Sequence, residues 1–301
     1  MKFEGVINVN KPADWTSQDV CAKLRGRLHI KRIGHTGTLD PMATGVLPIC
    51  IGNATKIIEY YDKDRKSYHA TMQLGITTDT LDITGEILDK KSFAGIDAEG
   101  VRSAFDAYKG NISQIPPKYS AIRINGQRAY DLAREGQEVH IKAREITIFS
   151  NEITKIDLES GTIEFNVTCS KGTYIRTMID DIGRELGCGA TMTALVRTAN
   201  GIFNLDNAVE LTKLIEMSDD EIQSLIQLAD ETVNGLGKVI VNDEKYVYVT
   251  HGNEILSKDY NIIQSTDFDN SYRIYCRNEF IGVGEIRNRV LQPRKVVTEQ
   301  E

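Results

Sequence analysis

The chain has 301 residues, 41% hydrophobic and 26% charged, enough to bury a sizeable core and more than one common-sized domain needs. No apolar run is long enough to cross a bilayer and the N-terminus carries no secretory pattern, so a cytoplasmic protein without a membrane partner is expected. The formal charge of −7 weighs against a nucleic-acid partner, yet residues 200–270 hold fourteen acidic and four basic side chains, so the acidity is local.

In chain order, Val6-Ile7-Asn8-Val9 reads as a short strand ended by Lys11-Pro12, where proline removes a donor. Thr16 is a helix cap with Asp19 three residues on. Val20, Leu24 and Leu28 then repeat every four residues, leaving Lys23, Arg25 and Arg27 toward solvent. With Lys31 and Arg32 these cations form a basic cluster; Arg123, Arg128, Arg134, Lys142 and Arg144 form a second, sparser one. Residues 34–45 contain three glycines and Pro41, too many breakers for a regular element, and are expected to be a loop. From Lys66 to Leu74, Tyr68, Ala70, Met72 and Leu74 alternate with polar residues as in a half-buried strand.

Val101, Phe105 and Tyr108 predict a helix over 98–109, with Gly110 placed to stop it. The stretch 114–144, with Pro116-Pro117, a short helical pattern near 127–135 and several cations, reads as an inserted arm. Ile163, Phe165, Val167 and Cys169 mark a second alternating strand. It runs through Lys171-Gly172-Thr173 into a helix with Ile175, Ile179, Ile182 and Leu186 on one face, ending at Gly187. The acidic stretch 206–231 reads as a helical connection. Beyond about residue 235, short β runs at 238–241, 246–249, 272–276 and 280–286 suggest a small β module.

Five side chains carry the chemical interest. Asp40, in the glycine-rich loop, is either a turn starter before Pro41 or, as a carboxylate at neutral pH, a nucleophile or base. Arg176 falls in the first turn of a helix, where the macrodipole disfavours a cation. It needs a partner, either a distant carboxylate or Asp180 four residues on. Tyr68 and Tyr174 are suited to core packing or to stacking on a nucleobase, and His35 to a structural role or to stacking on nucleic acid. The five cysteines lack a CxxC pair or nearby histidines and are expected to be reduced and mostly buried. No spacing matches a Walker loop, a dinucleotide fingerprint, HExxH, an EF-hand or GxSxG, so NTPase, metal and acyl-transfer chemistry lose support.

At these positions the chain resembles the TruB-type family of tRNA pseudouridine synthases. The resemblance rests on Gly5 to Ser17 with Lys11-Pro12, and on Gly34-His35-Thr36-Gly37-Thr38-Leu39-Asp40-Pro41 continuing to Ala43-Thr44-Gly45-Val46-Leu47. Lys66-Ser67-Tyr68, Thr78-Asp79-Thr80, Pro116 to Ala121, Ala129-Tyr130 to Gly136, Ser170 to Thr177 and Leu195-Val196-Arg197-Thr198 continue it in the family's order.

The resemblance implies an α+β pseudouridine-synthase fold with a mostly antiparallel mixed sheet. It implies a catalytic domain over 1–232 with an RNA-binding arm at about 114–144, and a PUA-like β module over 236–296. It casts Asp40 as the catalytic aspartate, Tyr68 as the residue stacked on the target base and Arg176 as the ion-pair partner of Asp40. Tyr174, Leu195 and His35 match positions around the substrate, and Lys11, Lys56, Arg123 and Arg128 are taken as further substrate contacts. The implied substrate is the uridine at position 55 in the T-loop of tRNA. No cofactor, metal, guide RNA or protein partner is expected, and the chain should act as a monomer. Two other readings stand beside it: a guide-RNA-dependent dyskerin-type enzyme, disfavoured by the compact length and lack of basic tails, and a tRNA-folding chaperone, which would need no carboxylate.

Overall fold

The computed structural model describes residues 3–63, 65–120, 122–124, 126–137, 139–266 and 270–298, with only the backbone of Asp62, Lys63 and Arg128. Strand β1 (Gly5–Lys11) leads into helix α1 (Ser17–Leu28), opened by a reciprocal capping box between Thr16 and Asp19. Val20, Leu24 and Leu28 are buried as their spacing predicts. The cationic side of α1 is less solvated than expected. Arg25 donates to the Ile33 carbonyl, and Arg27 reaches Asp219 and the carbonyls of Ile215 and Met217. Carbonyls at a helix end attract such donors, and this leaves Lys23, Lys31 and Arg32 as the exposed members of the cluster.

Strands β2 (Ile33–His35) and β3 (Thr44–Ile51) take the two ends of the segment expected to be loop, so that irregular backbone is confined to residues 36–43. Gly45 stays within β3 because a neighbouring strand comes too close for a side chain: at φ +101°, an added Cβ would lie 2.3 Å from the Arg197 carbonyl oxygen. A 3₁₀ segment (Gly52–Lys63) precedes β4 (Lys66–Leu74), in which every second residue is buried. A small hairpin, β5 (Ile76–Thr78) and β6 (Ile87–Lys90), then leads to α2 (Ala98–Asp106). This helix stops earlier than predicted, and Gly110, at φ +81°, begins β7 (Gly110–Gln114).

The arm contains a two-rung hairpin, β8 (Arg123–Ile124) and β9 (Gln127–Arg128), and α3 (Ala129–Arg134). The chain rejoins the sheet in β10 (Arg144–Asp157), where Arg144 pairs with Gln114, so the arm leaves and returns at one rung. Next come β11 (Thr162–Cys169), α4 (Ile175–Glu185), β12 (Ala190–Asn200) and β13 (Phe203–Asn204). The acidic stretch is not a plain helical connection. It begins with β14 (Val209–Glu210), paired parallel to β1, and continues in short helices α5 (Leu211–Glu216), α6 (Asp219–Leu225) and α7 (Ala229–Thr232). Leu211, Leu214 and Ile222 bury their side chains in the main core, which draws this segment onto the body.

The main sheet runs β14-β1-β3-β12-β4-β11-β10-β7, with β2 added to β3 and β13 to β12. Among the described residues of this sheet only β1–β14 and β3–β12 pair in parallel, giving a mostly antiparallel mixed sheet. The core below it unites Leu24 of α1, Phe105 of α2 and Ile179 of α4 with Ile49, Met72, Phe165 and Met192.

Strands β15 (Gly237–Val241), β16 (Ile255–Leu256), β17 (Tyr260–Gln264), β18 (Ser271–Cys276), β19 (Glu279–Arg287) and β20 (Val290–Val296) form a second sheet, ordered β16-β20-β19-β18-β15-β17. Residues 246–249, expected to be a strand, lie in the short helix α8 (Tyr246–Thr250). Tertiary contact overrides β propensity there: Val249 and Thr250 are buried one turn from half-buried Tyr246, while Val247 and Tyr248 face outward. Val283 and Val297 join Val6, Val46 and Phe203 in a shared apolar cluster, so the second sheet packs on the first.

Phe165 is fully buried, with its ring edge-on to Phe105 at 5.0 Å between centroids. Phe165→Ala is expected to cost about 3–5 kcal/mol in urea unfolding; an unchanged midpoint would remove this pair from the centre of the core.

Candidate active site

Asp40 sits on the irregular loop between β2 and β3, close to the middle of the main sheet. The loop is tied from several sides. Thr36 donates its amide to Pro48, Leu39 exchanges hydrogen bonds with the Ser17 hydroxyl, and Asn200 donates to the Thr36 hydroxyl. The Ala43 amide closes a turn onto the Asp40 carbonyl.

Arg176 meets Asp40 with two contacts, Nε to Oδ2 at 2.9 Å and Nη2 to Oδ1 at 3.2 Å. The remaining donors reach the Thr80 carbonyl at 2.8 Å and the Tyr119 carbonyl at 3.0 Å, and Asp82 lies 3.7 Å from Nη1. Asp180, the alternative partner, is taken by Arg184. The pair is asymmetric: the Arg176 side chain is 6% exposed and that of Asp40 32%, so the carboxylate keeps a side open to solvent. Two acids offset the unfavourable position of a guanidinium at the start of α4.

Tyr68 lies on β4 opposite Arg197 of β12, and burial pushes its hydroxyl up to about 12. Tyr174 caps α4 through its backbone, gripped by Gln114, which accepts from its amide at 2.8 Å and donates to its carbonyl at 3.0 Å. Burial raises its hydroxyl too. Both tyrosines feel the charge of Asp40. Leu195, buried, packs in the core cluster that includes Leu39, Tyr68 and Ile175. His35, on β2, faces Gln18 at 3.1 Å; burial, reinforced by Arg197, lowers it to about 4, so its ring is neutral at neutral pH.

The cations expected to touch substrate divide. Lys11 is fully buried, with its Nζ donating to the carbonyls of Pro12, Trp15 and Pro41 at 2.9, 2.6 and 3.0 Å. Three carbonyls saturate an ammonium, so Lys11 braces the loop from beneath and has no donor left for a substrate. Lys56 lies on the 3₁₀ segment and donates to the Val296 carbonyl, tying the body to the second sheet. Arg123 is exposed on the arm, and the side chain of Arg128 lies outside the described residues.

Two site residues had no role in the sequence reading. Asp82 is buried and accepts from the hydroxyls of Thr80 and Thr84; its signal is an acid framed by threonines two positions away on either side. Arg197 shares strand parity with Leu195, a cation on the inward face of an apolar strand, and that parity is its signal. Among the described residues no group of three or more His, Cys, Asp and Glu side chains could hold a metal ion, and all five cysteines are free and buried.

A carboxylate clamped by a buried guanidinium at the centre of a mixed sheet defines a site for proton transfer or nucleophilic attack. Residues 25–175 match the TruB family pseudouridylate synthase N-terminal domain, 176–234 the tRNA pseudouridylate synthase B C-terminal domain, and 237–297 the pseudouridine synthase II TruB C-terminal region. The chain belongs to the TruB family of pseudouridine synthases. It is 42% identical over 283 residues to a tRNA pseudouridine synthase B of Clostridium kluyveri, covering 94% of this chain and 95% of that protein. With the protein of the same name from Clostridium novyi it shares 42% over 296 residues, 98% and 100% of the two chains. A chain in the crystal structure of a Cbf5–Nop10–Gar1 complex superposes with a TM-score of 0.77 at 25% identity, over 98% of this chain and 85% of that one.

Arg176→Lys is expected to lower turnover by about a hundredfold or more, because a point charge cannot hold the plane of the carboxylate. A wild-type rate would show that the two-point contact is dispensable. The folded value of His35, about 4, lies below its ordinary 6.5. The unfolded chain therefore binds more protons between these values, and stability falls as pH drops through that window. His35→Gln should flatten the melting temperature against pH between 6.5 and 4; an unaltered slope would show that His35 does not contribute.

Proposed function

We propose that this protein isomerises uridine to pseudouridine at position 55 in the T-loop of tRNA, in the cytoplasm, as a monomer and without a guide RNA. The observation that carries the reading is the two-point contact of Asp40 with buried Arg176 beside Tyr68, within a chain of the TruB family. On this reading residues 1–232 form the catalytic domain with the arm at about 114–144, and 236–296 a PUA-like module.

The reaction breaks N1–C1′, turns the base and joins C5 to C1′; the C5 hydrogen leaves as a proton and N1 takes one up. Atoms and electrons balance within the nucleotide, so no oxidant or cofactor enters. Asp40 either attacks C1′ or takes the C2′ proton to give a glycal, and is regenerated in both routes. Tyr68 stacks on the extruded base and Leu195 lines its apolar side. Tyr174 and neutral His35 flank the cleft. Extrusion from a stacked loop costs a few kcal/mol, which stacking and phosphate contacts from the arm, including Arg123 and Arg128, offset.

The test is position-resolved detection of pseudouridine in an unmodified tRNA transcript incubated with the purified protein alone. Conversion at position 55 is expected. Conversion only on adding a guide RNA, or at another position, would replace this reading. Asp40→Asn should abolish conversion while tRNA binding stays near wild type, since charge is removed with little change of shape; full conversion by that variant would end the assignment of Asp40.

A further inference from the structure

We propose that Arg197 is a positioning residue for the reaction: from beneath the sheet's centre it fixes the loop that carries Asp40 relative to Tyr68. The inference rests on the functional reading above and deepens it.

Arg197 is 0% exposed and lies within β12, between β4 and β3. Its Cα is level with Tyr68 on one side and Gly45 on the other. Among the described residues no carboxylate comes within ion-pairing distance of it, in contrast to Arg176. A buried guanidinium without a counter-charge is costly and needs compensation. Here the compensation is a ring of oxygens: Nε donates to the Val46 carbonyl at 2.7 Å, Nη2 to Gly37 at 3.2 Å and Nη1 to Thr38 at 3.5 Å. Tyr68 is its cross-strand neighbour on β4.

Two of these carbonyls belong to the catalytic loop, and Thr38 is two residues from Asp40. The neighbouring backbone comes close to this residue. A Cβ on Gly45 would strike the Arg197 carbonyl oxygen at 2.3 Å, and one on Gly37 would sit 3.7 Å from Nη1 and 3.1 Å from the Lys66 Nζ. Tyr68 stands opposite Arg197 on the next strand, so the residue that holds the loop is also the strand partner of Tyr68. Arg197 thus fixes the loop relative to the strand that carries Tyr68. An apolar side chain of similar volume would fill the space and hold no carbonyl of the loop.

The alternative is a cation that merely braces the core where β3, β12 and β4 meet. Arg197→Lys and Arg197→Gln separate the two, assayed beside the wild type on unmodified tRNA transcript for kcat, KM, tRNA affinity and melting temperature. Lysine keeps the charge but gathers its donors at one point; glutamine keeps a planar donor without charge. Positioning predicts a kcat lower by about a hundredfold, the scale of a 1 Å misplacement, in at least the lysine variant. KM and tRNA affinity should stay within about threefold, because the substrate-facing surface is unchanged. A lysine variant with wild-type kcat overturns the proposal. So does a kcat loss matched by equal losses in tRNA affinity and melting temperature, or failure of both variants to fold, since either assigns Arg197 to the core alone. Absence of pseudouridine with the wild type would instead sink the functional reading, and this inference with it.

Discussion

The two-point contact between Arg176 and Asp40 constrains everything around it. A guanidinium presents donors in a plane, so accepting from two of them fixes the orientation of a carboxylate as well as its distance. The unequal burial of the two partners gives the contact its direction. Arg176 is enclosed by oxygens of Thr80, Asp82 and Tyr119, whereas Asp40 keeps a side toward solvent. Removing the acid would leave a buried cation short of its main partner, a change that typically costs several kcal/mol.

The same guanidinium connects chemistry to the arm. Tyr119 stands at the arm's base, its carbonyl accepting from Arg176. Gln114, on the last rung before the arm departs, grips the Tyr174 backbone from both sides. Displacing the arm's base therefore disturbs partners of Arg176 and Tyr174 directly, without a long path through the core. Beneath the loop, Lys11 and Arg197 act alike: each is a fully buried cation whose donors go to backbone carbonyls. Such a segment has few side chains with which to fix itself, and backbone oxygens are what it offers.

Periodicity made the two alternating strands and the helices beginning at Ser17, Ala98 and Ile175 legible, because each has one face in a common core. β12 was not legible. Its inward face includes the charged Arg197, and register shifts at Met192/Ala194 and Arg197/Ala199 interrupt the period, so no clean alternation is left. The helix at 246–250 misled for the opposite reason: Tyr-Val-Tyr-Val alternates by composition, while contact with the second sheet selects helical spacing. At the site, motif order pointed to Asp40, Tyr68 and Arg176. The resemblance also cast Lys11 and Lys56 as substrate contacts, but a sequence does not reveal which lysines are already engaged by carbonyls.

The charge distribution follows from strand order. β14 with Glu210, and α5 followed by the acidic helix α6, lie at one edge of the main sheet, while the arm springs from β7 and β10 at the other, with Lys118, Arg123, Arg134, Lys142 and Arg144 exposed. Seven inter-strand steps of about 4.8 Å put roughly 34 Å between those edges. Physiological salt screens surface charges beyond a Debye length of about 8 Å, so the acidic edge contributes little field at the arm. A chain of net charge −7 can therefore present a locally cationic face to a polyanion. Arg27, held by Asp219 and the end of α5, belongs electrostatically to the acidic edge, although its sequence neighbours place it in a basic cluster. The face that a polyanion meets is set by which strands lie at which edge, and neither the net charge nor the clustering of cations along the chain determines it.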